Sequence, residues 1–204
     1  MLTLDHLAVS ATRLDDGVAH VERALGVVLA PGGKHELMST HNRLLSLGPG
    51  LYLEVIAIDP EAPPVAHPRW FDLDRFDGEP RLTNWIARCD DLPAAIAAAP
   101  NGVGRLTELA RGDLRWQMAV PDDGCLPFGG TYPALIRWYG SAHPAARLPD
   151  AGIRLARLEL THPQVDRLRA ALAGQIDDAR LSFREGASPR LRAAFHTPGG
   201  ERWL

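Results

Sequence analysis

An α+β protein built by repetition is what the sequence predicts: two βαβββ modules followed by a partial third. Three observations carry this reading. The apolar pattern runs from strand alternation to helical spacing and back to strands, and that order returns further along the chain. The repeating unit, roughly 75 residues, is too long for a solenoid repeat, so it is a duplicated module. Apolar residues make up 46% of the 204, enough for a core, and charged residues 23%, which excludes a disordered tail, a collagen-like chain or a coiled coil.

Residues 2–10 (LTLDHLAVS) alternate as a strand, with Leu7 and Val9 on one face and Leu4, His6 and Ala8 on the other. Leu14, Val18, Val21 and Leu25 then form one apolar stripe of a helix over 14–25. Thr12 is placed to cap it, Asp15 and Asp16 suit its positive end, and Gly26 stops it. A short strand, Val27–Leu29, leads into a Pro-Gly-Gly turn. Strands at Asn42–Leu47 and Leu51–Ile58 flank the turn Gly48-Pro49-Gly50. The second copy has a strand at 82–88, a helix at Asp90–Ala99 with Pro93 in its first turn, and strands at 114–120 and 132–139. The third has a strand at 153–161, a helix at 163–173, and strands at 179–184 and 191–196. The modules are therefore expected at 1–60, 81–140 and 141–204. Residues 61–80, rich in Pro and Asp, form a connection of the kind that can cover a site.

Composition excludes several function classes. Lys and Arg total 22 against 25 Asp and Glu, a net charge of −3, which gives no surplus for nucleic acid. The longest apolar run, Leu51–Ile58, is interrupted by Glu54 and is far short of the ~20 residues a membrane span needs. The first residues lack the basic start and apolar stretch of a signal peptide, so a cytoplasmic location is expected. Cys89 and Cys125 form neither a disulfide framework nor a zinc motif and read as plain thiols.

Two side chains stand out against their strands. Glu54 alternates with Leu53 and Val55, so it leaves the packed face. A carboxylate inside LYLEVIAI needs a partner or water, because burying it alone costs several kcal/mol. That partner is a metal, an inward cation, or a salt bridge to Arg88 or Arg137. His6 lies opposite Leu7 and Val9, either lining a cavity or as a core histidine with one hydrogen bond. His35 is a site residue or an exposed turn residue; Asn42 is a site residue or a loop anchor. Asn84 and Arg88 share one strand face, and an inward Arg offers a bidentate fork to a carboxylate or phosphate. Trp85, Trp116 and Trp138 read as core or as ligand platforms. His143-Pro144 and His162-Pro163 read as turn and helix-start punctuation.

Several motifs together resemble a known family. These are the opening strand Leu4-Asp5-His6-Leu7-Ala8-Val9, then Gly32-Gly33-Lys34-His35, Thr40-His41-Asn42, Tyr52-Leu53-Glu54, Asn84-Trp85 and Ile136-Arg137-Trp138. Over residues 2–140 the chain resembles the glyoxalase-like domain group of the vicinal oxygen chelate superfamily. The resemblance implies two modules curled into a half-barrel around a cavity, with a divalent metal (Zn, Fe, Mn or Ni) held by His6 and Glu54 and no organic cofactor. It implies a lyase or isomerase in which the metal chelates vicinal oxygens of a small-molecule substrate and Glu54 moves a proton. His35, Asn42, Asn84, Arg88 and Trp138 would then bind substrate. A monomer or homodimer is expected. The sequence departs from the pattern in its second module, where Asn84 and Ile136-Arg137-Trp138 stand at the ligand positions. His35 is the remaining candidate for a third ligand. The alternative is a metal-free small-molecule binding module of the same fold; a ring-cleaving dioxygenase would need a second inward His.

Overall fold

The computed structural model describes residues 1–204. Its first five elements are β1 (Thr3–Ser10), α1 (Leu14–Leu25), β2 (Ala30–His35), β3 (Thr40–Ser46) and β4 (Tyr52–Ile58). After the connection come β5 (Arg81–Arg88), α2 (Leu92–Ala98), β6 (Arg105–Arg111), β7 (Leu114–Val120) and β8 (Ala134–Trp138). The chain ends with β9 (Arg154–His162), α3 (Val165–Leu172), β10 (Leu181–Glu185), β11 (Arg190–Thr197) and β12 (Gly200–Trp203).

Eight strands form one curled sheet in the order β2-β3-β4-β1-β5-β8-β7-β6. The order has an internal symmetry. β1 pairs parallel with β4, β5 pairs parallel with β8, and the two halves join where β1 and β5 run antiparallel. The fold is thus a half-barrel of paired modules. The last four strands form a second sheet, β10-β9-β11-β12, with α3 after its first strand.

Burial divides the curled sheet into two faces. Leu7, Val9, Leu53 and Val55 point outward into the main core with Leu14, Val21 and Leu25 of α1 and Leu158, Leu160 and Phe195 of the second sheet. The concave face carries Ala8, Ile56, Ile86, Trp116, Met118 and Ile136. The connection crosses this face and fills it with Trp70, Phe71 and Leu73.

Four expectations are corrected. Leu4 packs in the main core rather than beside His6, because a β-bulge at Asp5 shifts the register between Leu4 and His6. The first strand after α1 lies at Ala30–His35, so the Pro-Gly-Gly run falls inside it, with a register shift between Pro31 and Lys34. The N-cap of α1 is Arg13, with no side-chain cap; Gly26 does close the helix, in the left-handed conformation at φ 70. Finally, β6 and β12 are strands that the alternation does not mark.

Candidate functional site

On the concave floor, β1 contributes His6 and the adjacent parallel strand β4 contributes Glu54; both are buried. The bulge puts Asp5 on the same side of β1 as His6. His6 donates from Nδ1 to Asp5 Oδ1 at 2.7 Å, and its Nε2 faces Glu54 Oε1 at 3.6 Å. The ring stacks on Tyr52, with centroids 4.4 Å apart. Asp5 is fully buried and takes three further donors on Oδ2: Trp138 Nε1 at 3.1 Å, His143 Nε2 at 3.0 Å and Arg88 Nη1 at 3.4 Å. His143 Nδ1 accepts from the Ala145 amide, which leaves its proton on Nε2 to be donated.

The opposite wall is built where the two edges of the half-barrel meet. Arg111, at the end of edge strand β6, donates to His35 Nε2 at 3.0 Å and to Asn42 Oδ1 at 3.3 Å. Asn42 passes the chain on, donating from Nδ2 to Glu54 Oε2 at 2.8 Å. Two glycines permit this approach. A Cβ at Gly32 would lie 2.1 Å from Asn42 Oδ1, and one at Gly33 would lie 2.7 Å from Arg111 Cδ. The Gly33 amide also donates to Asn42 Oδ1 at 2.9 Å. A continuous network therefore runs Arg111–Asn42–Glu54–His6–Asp5, with His35 attached to Arg111.

The two imidazoles differ in charge. Burial pushes His6 down, but its hydrogen bonds to Asp5 and Glu54 outweigh that and raise it to about 9. Burial likewise pushes His35 down, and nearby Arg111 and His6 oppose its protonation; it falls to about 4 and stays neutral. Burial opposes ionisation of Glu54 and Asp5 as well, yet their histidine partners keep both carboxyls below the usual range. His6 is thus an imidazolium between two carboxylates.

The donor set does not fit a transition metal. His6 and Glu54 face one another, but the third donor is missing: His35 Nε2 is occupied by the Arg111 guanidinium, a fixed cation. Glu54 Oε2 is engaged by Asn42. The second module brings Trp116, Met118, Ile136 and Trp138 to the chamber, none of them a usual ligand. No three His, Cys, Asp or Glu side chains converge as a metal cluster.

The remaining sequence candidates are divided. Trp138 lines this chamber. Arg88 turns its guanidinium to the Gly50 carbonyl, at 2.8 Å, and to Asp5, so it supports the network instead of facing a ligand. Asn84 sits on the wall of a different cavity. Arg137, considered as a partner for Glu54, instead reaches Gln117 and stacks on Tyr139. Sequence reasoning missed Asp5, Arg111 and the role of His143. A signal existed for Asp5, an acid inside an apolar strand; none existed for Arg111. The free space within the chamber is about 30 Å³, room for a water or two.

No curated protein matches the sequence. Among solved structures, a hypothetical protein from Staphylococcus aureus superposes with a TM-score of 0.63 at 12% identity, covering 93% of this chain and 88% of that one. Methylmalonyl-CoA epimerase from Mycobacterium tuberculosis reaches 0.44 at 19% identity, covering 68% and 88%. The former shares the fold across nearly the whole chain; the latter, at its score, bears on neither fold nor chemistry. The family match is wider in meaning, for it spans residues 4–176 and so takes in both halves of the curled sheet and the whole buried network. On that match the chain belongs to the glyoxalase-like domain family of the vicinal oxygen chelate superfamily.

Proposed function

We propose that this chain is a metal-independent member of its family that binds a small molecule on the concave face of the half-barrel. The single observation that carries the proposal is Arg111, whose guanidinium occupies His35, the only available third donor. A cation fixed there repels a metal ion but attracts an oxyanion. Binding requires the connection to lift, since Trp70 and Phe71 now fill the chamber. That segment is built for modest stability: Phe71 and Asp72 hold consecutive left-handed conformations at φ 60 and 56, and Trp70 Nε1 is buried without a partner.

The metal-dependent lyase or isomerase reading keeps one favourable observation. His6 Nε2 and Glu54 Oε1 are 3.6 Å apart, near the edge length of a tetrahedron with bonds of about 2.0–2.2 Å. Metal analysis of untagged protein separates the two readings. The expected result is no stoichiometric transition metal and an unfolding temperature that neither chelator nor added Zn, Mn, Ni or Fe moves. A metal at a hundred times its Kd would add about 2.7 kcal/mol. One bound equivalent, lost in His6→Ala, would establish the metal reading instead.

A further inference from the structure

An open cleft of about 700 Å³ lies where the start of α3 meets the turn after α2 and the turn Pro127–Gly130. It shares no lining residue with the concave chamber. His162, the last residue of β9, stands on its wall and is 8% exposed. Its Nδ1 accepts the Gln164 amide at 2.9 Å, which turns the chain into α3 and fixes the ring proton on Nε2. Burial holds this imidazole below its ordinary pKa, so at neutral pH it is an uncharged N–H donor. That Nε2 has no partner in the protein, yet it is not sealed from solvent as Trp70 Nε1 is; the cleft is where it opens.

The charge of the cleft points the same way. Arg167 is the one charged side chain on its wall. It takes part in no ion pair and donates only to Gln164 Oε1, at 2.8 Å. Asp166, the acid of the same turn, is engaged by Arg169 at 2.7 Å. α3 has no side-chain N-cap, so its first-turn N–H groups add to the positive potential at this end. Most of the remaining wall is apolar, with Phe128 and the rings of Pro100, Pro127 and Pro163. Phe128 holds a left-handed φ of 54, uncommon for a residue with a Cβ, and its ring stands nearly perpendicular to His162 with centroids 5.2 Å apart.

We infer that this cleft binds a small organic carboxylate carried on an apolar body, one oxygen facing the His162 Nε2–H and the other the Arg167 guanidinium. Both groups are donors, as an acceptor-only carboxylate requires. A single cation matches a single negative charge, so the site prefers a carboxylate to a phosphate, which carries about −1.5 to −2. The phenyl and proline rings accept the hydrocarbon. The site is separate from the concave chamber and stands whether or not that chamber binds a ligand.

Two-dimensional NMR of the nitrogen-15-labelled full chain, titrated with phenylacetate, phenyl phosphate and neutral 2-phenylethanol, tests this. Phenylacetate should give saturable shifts centred on the amides of residues 162–168. Phenyl phosphate should bind more weakly and the alcohol not at all. Arg167→Glu should raise the Kd for phenylacetate about tenfold or more, the usual worth of a charge-assisted hydrogen bond. Arg13→Glu, the same charge change on the exposed start of α1, should leave it unaltered. His162→Phe removes the Nε2–H and should weaken binding likewise, with far-UV circular dichroism confirming its fold. Should that buried variant unfold, the exposed Arg167→Glu still decides. Absence of saturation, equal binding of the alcohol, phenyl phosphate bound as tightly as phenylacetate, shifts centred on β1 and β4 instead, or affinity unchanged by Arg167→Glu would overturn the inference.

Discussion

His6 and His35 belong to the same buried network, yet one is a cation and the other is not. The difference follows from their partners: His6 faces two carboxylates, whereas His35 faces a guanidinium. Stability must therefore depend on pH in both directions. His6 is raised from an unfolded value near 6.5 to about 9, so its contribution is complete below pH 6.5 and fades as pH rises through 9. His35 is lowered from 6.5 to about 4, so the unfolded chain binds a proton that the native chain refuses, and stability falls as pH drops from 6.5 towards 4. Each effect is on the order of 3 kcal/mol. Asp5 and Glu54, held below the usual range, steepen the loss only under still more acid conditions. Urea denaturation between pH 4.5 and 9.5 should thus give a maximum near 6.5. His6→Gln should flatten the alkaline limb and His35→Gln the limb between 6.5 and 4.5. A wild-type profile without a maximum would contradict these assignments.

At the scale of elements, what alternation could and could not reveal is plain from particular strands. β1, β4 and β5 put Leu7, Val9, Leu53, Val55, Leu82 and Trp85 on one face of a real core, so their sequences show it. β6 is an edge strand whose residues are mostly half-buried or exposed, and RLTELAR carries little apolar contrast. Without β6 as a strand, Arg111 cannot be placed across from His35. The bulge at Asp5 is equally silent: one extra residue reverses which side Leu4 takes, and strict alternation has no means of announcing it. The Gly32-Gly33 pair is legible as a motif but not as a mechanism. Its function is closeness, and it predicts a contrast. Gly26 has a positive φ, and a Cβ added there would have nothing within 4 Å, so Gly26→Ala should cost about 1 kcal/mol of backbone strain. In Gly32→Ala the new methyl would meet both the side chain and the carbonyl of Asn42, at 2.1 and 2.3 Å. Relieving that clash means parting β2 from β3, and the cost should be about 3 kcal/mol or more, in the range of severe overpacking. Urea midpoints of the two variants measure the difference; similar losses would show that the glycine pair is not needed for the approach.

For the molecule as a whole, the C-terminal sheet is the part whose likeness to the other modules is faintest in sequence, yet it does not stand apart. Leu158, Leu160, Leu191 and Phe195 share one continuous core with α1, β1 and β5. A core held in common couples the two sheets, since exposing one exposes the other's buried face to water. Unfolding should therefore be one cooperative transition. The tryptophans offer a local test: Trp70, Trp85, Trp116 and Trp138 belong to the curled sheet and its connection, and only Trp203 lies in the second sheet. Phe195→Ala removes a fully buried ring from the second sheet and should cost about 3–5 kcal/mol. If the core is shared, that change lowers the fluorescence midpoint, which is dominated by the curled sheet, by as much as the far-UV midpoint. Were the C-terminal sheet an autonomous addition, the variant would instead split the far-UV curve, leaving the fluorescence transition where it was.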